Sequence, residues 1–401
     1  RPAPPVVGPS RCRATAWGAR IADEAGSPEL DLGDAVPFGD GVAVALVHRA
    51  GGERVAAVAF ARPDQSDAHT PLRVVDLGAT LGDATPPRVI ARAGRILAAY
   101  HGVSPGVPVP AKAPDGRGGA ERLLVVESVT PDGVSPGFVF EEGRDDSLAS
   151  DIAVLGDAAD HGLAVWDEAT TEPRGVIRGG PFAAGRRVGP TVDLSPKDSD
   201  AEMPRAVAFG KGFAVFWIAH GPDTDGVPAE ASDLEVAGEP RMRGWVEMIA
   251  VDETGSPTGA LRRLTPSAGH VTAFDLRAAS TTAILLVARD DGEAVDGSGG
   301  TLLRVRVGPD AAEPPVAFTT DNLGRGAPSF VEGSATWLAW VGPSEQLRLL
   351  AIDAAGTPSA IPSAEDGMEE ARPVLALPSG HLLVESPDDA TLQLRTFACV
   401  P

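Results

Sequence analysis

One unit recurs along this chain about every 45 to 70 residues, and that recurrence restricts the fold more than any other feature. In its clearest copy, Pro204-Arg205-Ala206-Val207-Ala208-Phe209 is followed by the turn Gly210-Lys211-Gly212 and the apolar run Phe213-Ala214-Val215-Phe216-Trp217-Ile218. A third run, Gly244 to Val251, ends in Asp252-Glu253-Thr254-Gly255, and a fourth follows at Leu261 to Thr265. The same order appears at Pro87 to Tyr100 with Arg122 to Val129, and at Pro328 to Val341 with Leu347 to Ile352. Looser copies begin near Asp34, Asp151, Phe274 and Arg372, which makes seven.

Each run reads as a β-strand. Leu303, Val305 and Val307 alternate with Arg304 and Arg306, the period of two that a strand with one wet face requires. No stretch holds a helical period, and 37 prolines would break most helices. The last copy is one strand short, because Thr391 to Cys399 is its third and the chain stops at Pro401. Residues Cys12 to Trp17 can supply the missing strand and close the sheets into a ring, which removes exposed edges. In this order of strands the chain resembles secreted bacterial β-propeller repeat proteins over nearly its whole length, at the level of the superfamily. The resemblance implies an all-β, seven-bladed propeller; a row of β-sandwiches is the competing architecture. No propeller family's catalytic or metal-binding signature accompanies it, so the resemblance carries shape and no chemistry.

The two cysteines of the chain stand at its ends, unlike the close pairs of a metal site, and a Cys12–Cys399 disulfide fits the ring closure. Closing so long a loop stabilises the fold by about 5 kcal/mol and needs an oxidising compartment. The expected location is therefore extracytoplasmic: periplasmic, outer-surface or secreted. Residues 1–11 read as a Pro-rich tether, with a lipid anchor upstream of Arg1 as a hypothesis, and 12–401 as one propeller domain. No window has the roughly 20 apolar residues of a membrane helix. A formal charge of −22 repels nucleic acid.

The longest connections follow second strands: from Tyr100 to about Glu121, from Ala219 to about Arg243, and from Arg289 to about Thr301. They share one face of a propeller, and long loops concentrate function. Tyr100, His101, His220, Asp223, Asp225 and Asp290 are therefore the candidate binding face. His48, His101 and His220 share an address beyond the Gly that opens a second strand, although ring geometry separates their blades. Asp167, Glu168, Asp290, Asp291 and Glu385 lie near second-strand ends, where two carboxylates can serve glycoside chemistry. Asp223 and Asp225, with Gly226 for the turn and Glu230 beyond, form a candidate calcium site; no other cofactor is expected.

No serine-nucleophile elbow and no phosphate-cradling loop is present. The sequence therefore points to a non-catalytic scaffold that offers one loop-rich face to a protein or cell-surface partner. The alternative is a hydrolase or lyase that acts on an extracellular polymer through carboxylates or histidines of that face.

Overall fold

The structure, a computed structural model, describes residues 11–16, 31–62, 73–80, 85–92, 94–105, 123–140, 149–156, 160–169, 175–197, 199–222, 242–267, 269–280, 283–291, 300–323, 327–330, 337–341, 347–353, 357, 363–365, 372–376, 381–388 and 391–400. All named elements among them are strands. Asp31–Phe38, Gly41–Ala50, Glu53–Ala61 and Arg73–Thr80 pair in that order. Arg88–Arg92, Arg95–Val103, Leu124–Thr130 and Gly133–Phe140 do the same, and the pairs Ala79↔Val103 and Thr80↔Gly102 join these two groups into one eight-stranded sheet.

The next sheet holds Ser150–Val154, Gly162–Ala169 and Gly175–Ala183, with Arg186–Arg187 and Val192–Asp193 both on the last of these. Asp200–Phe209, Gly212–Pro222, Met242–Val251 and Arg262–Arg263 form another. Val271–Ser280, Ala283–Asp290, Gly300–Val307 and Val316–Leu323 follow, then Ser329–Phe330, Trp337–Val341, Leu347–Ala351 and Ser363–Glu365. In the last sheet Arg372–Ala376, His381–Asp388 and Thr391–Val400 take Arg11–Ala16 as their outer strand.

The opening strands of successive groups lie against one another, and Arg372–Ala376 lies against Asp31–Phe38, so these strands close a circle. The N-terminal strand does complete the last sheet, as the truncated final repeat requires. Its antiparallel register sets Cys12 opposite Cys399. Their side chains lie outside the described residues, as do residues 1–10; Arg11 already belongs to the strand.

Gly210 and Gly212 explain the tight turn between first and second strands. Gly210 sits at φ +63°, a left-handed conformation that favours glycine, while a Cβ on Gly212 would fall 2.1 Å from the Val251 carbonyl oxygen. The second strand that follows is apolar without a break from Phe213 to Ala219 because both of its faces are covered. Phe213, Val215, Trp217 and Ala219 pack against Leu163, Val165 and Ile177 of the preceding sheet. Ala214, Phe216 and Ile218 pack against Leu276, Ile284 and Leu286 of the following one. The two-residue side-chain period thus feeds two inter-sheet cores from one strand. Each fully buried large side chain contributes about 1.5–3 kcal/mol of burial.

Around the inside of the circle the opening strands are tied by charge. Arg88 Nη1 donates to both carboxylate oxygens of Asp34, at 2.8 and 2.9 Å, and its Nε donates to the Ser150 carbonyl. Arg205 bridges its neighbours on both sides: Nε to Asp151 Oδ2 at 3.1 Å and Nη2 to Asp275 Oδ1 at 2.9 Å. Asp275 Oδ2 accepts the Phe330 amide at 2.7 Å and so reaches the next sheet. Alternating Asp and Arg therefore link the opening strands of six successive groups. No helix among the described residues is long and apolar enough to cross a membrane.

Candidate functional site

Second strands end, and first strands begin, on the same face of the ring. In the sheet that opens with Asp200–Phe209, the pairing has a β-bulge between Glu202 and Arg205, and Met203 within it holds φ at 53°. A non-glycine residue in that region is strained by roughly 1–3 kcal/mol, and such strain concentrates where a side chain must be aimed. The bulge advances the register so that Asp200 lies directly across from His220 and Glu202 from Ile218.

His220 Nε2 lies 2.8 Å from Glu202 Oε1, with His220 mostly covered and Glu202 half-exposed. Burial pulls the His220 pKa down, but the hydrogen bond and charge of Glu202, joined by the charge of Asp200, raise it above the ordinary imidazole value. The bond from His220 holds the Glu202 pKa below the usual carboxylate range, against burial. Each partner thus favours the charged form of the other. Asp200 Oδ1 accepts the Gly175 amide at 2.8 Å, and Asp167 accepts the amides of Ala149 at 3.1 Å and Met203 at 3.4 Å. These contacts fix the bulge against the preceding sheet.

The other candidates fare differently. Tyr100 and His101 are buried, not presented on a binding face, because Val103 just beyond them pairs with Ala79 of the preceding group and closes that side. The Tyr100 hydroxyl donates to Glu127 Oε2 at 3.2 Å, and Ser104 Oγ donates to the other oxygen. Burial, and next the charge of Glu127, push the Tyr100 pKa far up; burial also raises that of Glu127. His48 pairs with Asp76 at 2.8 Å in the first group, so the three histidines stay apart.

Asp290 Oδ1 accepts the His270 amide at the start of a strand. Asp291 binds Arg289 and Thr272, and Glu168 is buried against Trp166 and Arg178. These carboxylates are occupied in building the sheets, as is Asp167, whose bond to the Met203 amide sets it against the bulge that carries Glu202. Asp223, Asp225 and Glu230 lie outside the described residues, as does the Glu385 side chain. No group of three or more His, Cys, Asp or Glu side chains placed to hold a metal occurs among the described residues.

Glu202 and Asp200 were not among the sequence candidates. The signal available for them was their place at the mouth of the hairpin that carries His220, since counting back from the Gly210 turn brings His220 opposite Ala201, between the two acids.

No family model matches the chain, and no curated protein matches it. Solved structures do. A polysaccharide lyase described as the ulvan lyase of a new family, PL25, superposes with a TM-score of 0.57 over 95% of each chain at 10% identity. The α-L-arabinanase of Penicillium chrysogenum, complexed with arabinobiose, gives 0.46 over 96% of this chain and 98% of that one, at 9% identity. The β-propeller domain of the Trilobed protease from Pyrococcus furiosus gives 0.45 over 91% and 94%, at 9% identity. The fold is that of the β-propellers. The expectation of a non-catalytic scaffold is corrected: a polysaccharide lyase shares this fold, and that expectation rested on finding no catalytic group, whereas the face carries the His220–Glu202 pair.

Proposed function

We propose that this protein is an extracytoplasmic enzyme that cleaves a polysaccharide, as a hydrolase or lyase, with His220 as its proton donor. The observation that carries the reading is the 2.8 Å contact between His220 Nε2 and Glu202 Oε1 on the long-loop face. Hydrolysis and β-elimination of a glycan share one need, a proton for the departing glycosidic oxygen. Glu202 holds Nε2 and favours the charged imidazole, which assigns the transferable proton to Nδ1. The reading draws further support from the polysaccharide lyase of similar fold.

The same proposal takes the ring as seven-bladed, with the eight-stranded sheet counted as two blades joined by two residue pairs. It includes a Cys12–Cys399 disulfide, because residues directly opposite on antiparallel strands have Cα atoms about 4.5–5.5 Å apart, within disulfide range. A disulfide at that position requires an oxidising compartment, hence the extracytoplasmic location.

The test is depolymerisation of a polysaccharide panel by the wild-type protein and by His220→Asn. Wild-type protein is expected to cleave at least one polymer, and the variant to lose about 10²–10⁴-fold in kcat. Equal rates for the two proteins would remove His220 from the mechanism.

A further inference from the structure

The charge around the pair narrows the substrate. Glu202, Asp200 and Asp167 bring three carboxylates to the junction, where His220 already has Glu202 as its partner. The nearby guanidinium groups are largely matched: Arg205 sits between Asp151 and Asp275, Arg178 between Glu168 and Asp193, and Arg289 on Asp291. Arg243, across the strand pair from Gly221, is the remaining cation at this end of the hairpin among the described residues, and it too has partners. The whole chain adds a field of −22. A polymer with a carboxylate or sulfate on every repeat meets like charge at the subsite and again along the approach.

Charge also bears on the reaction. Elimination from a uronate abstracts the proton beside the sugar carboxylate, and the carbanion needs a cation or a set of hydrogen-bond donors at that carboxylate. Among the described residues, the side chains whose charge acts on the donor are the carboxylates of Glu202 and Asp200. We infer that the substrate is an uncharged glycan and that the bond is hydrolysed; this rests on the polysaccharide-cleaving reading above.

In the step, the bond between the anomeric carbon and the glycosidic oxygen breaks, its electron pair stays on that oxygen, and the oxygen takes the proton of His220 Nδ1. A water oxygen bonds to the anomeric carbon and gives up its proton to a carboxylate. We assign that role to Asp200, which lies across the hairpin from His220 and whose Oδ1 accepts the Gly175 amide. Asp200 then releases that proton to solvent, and His220 takes one up from it.

The experiment pairs probes that differ in charge alone. Polygalacturonate and its carboxyl-reduced form are assayed beside neutral arabinan, galactan and xylan and anionic alginate and ulvan. New reducing ends report either reaction, and ultraviolet absorbance of an unsaturated uronate reports elimination. Cleavage confined to neutral polymers, or at least about tenfold higher kcat/KM on them, without unsaturated product, is the expected result. Cleavage of a polyanion with equal or greater kcat/KM, or with unsaturated product, overturns this inference while leaving His220 as a polysaccharide-cleaving acid. Failure to cleave any polymer counts against both readings.

Discussion

Replacing Arg205 with Met tests whether the charged ring inside the circle of opening strands is a structural clasp. The side chain keeps similar length but loses its guanidinium, so Asp151 and Asp275 remain with no counter-charge between them. Breaking a buried pair by removing one partner costs about 3–5 kcal/mol. Arg205 is 25% exposed, and one guanidinium serves both carboxylates, so the lower figure applies and is not doubled. With about 2.1 cal/mol/K of unfolding entropy per residue, 401 residues give about 0.84 kcal/mol/K, and 3 kcal/mol lowers the melting temperature by about 4 °C.

The deficit should depend on pH with a definite sign. Burial already lifts the Asp275 pKa above its ordinary value, against the charge of Arg205, and losing that charge lifts it further. Proton uptake then relieves the folded variant, so the gap from wild type narrows as pH falls through the raised pKa. Thermal unfolding followed by circular dichroism near neutral pH and at about pH 5 reads both effects. A variant as stable as wild type at neutral pH, or a deficit that does not change between the two, would refute the clasp.

Three further outcomes are expected. Protein purified without reductant, unfolded and titrated for thiols should yield none, and Cys12→Ser with Cys399→Ser should melt earlier than wild type; two free thiols would rule out the bond. Gly78→Ala should destabilise by about 1–3 kcal/mol, because the new Cβ would lie 2.2 Å from the Val103 carbonyl oxygen and 2.8 Å from the Tyr100 hydroxyl, where the first two strand groups join. Glu202→Gln should move the alkaline limb of the kcat profile to lower pH, since Glu202 is what holds His220 above its ordinary value; an unmoved limb would separate Glu202 from the proton donor.

Much of the architecture could be read in the chain. The glycines at 210 and 212 bracket a turn that only a hairpin can use, and the apolar run after them is too continuous for a strand with one wet face. The final repeat ends one strand short, and Arg11–Ala16 fills the gap. Alternation was less reliable near irregularities. Leu303 is expected in the core with Val305 and Val307, but it is only half-buried, whereas Leu302 is buried in the core on the opposite face of the sheet, with Leu285 and Val287.

Sequence determined which segments are strands, because turn chemistry and the period of two act over a few residues. It also marked His220 by its place at a strand end. Which groups stand together was decided in three dimensions. The bulge at Met203 changes by one the count across the hairpin, and that single residue sets Asp200 opposite His220. Tyr100 and His101 hold an equivalent place in their strand, yet pairing of Val103 with Ala79 of another group buries them. Asp34 with Arg88, and Asp151 with Arg205, are each 54 residues apart along the chain, a separation over which charge has no local signature until the opening strands are brought round into one circle.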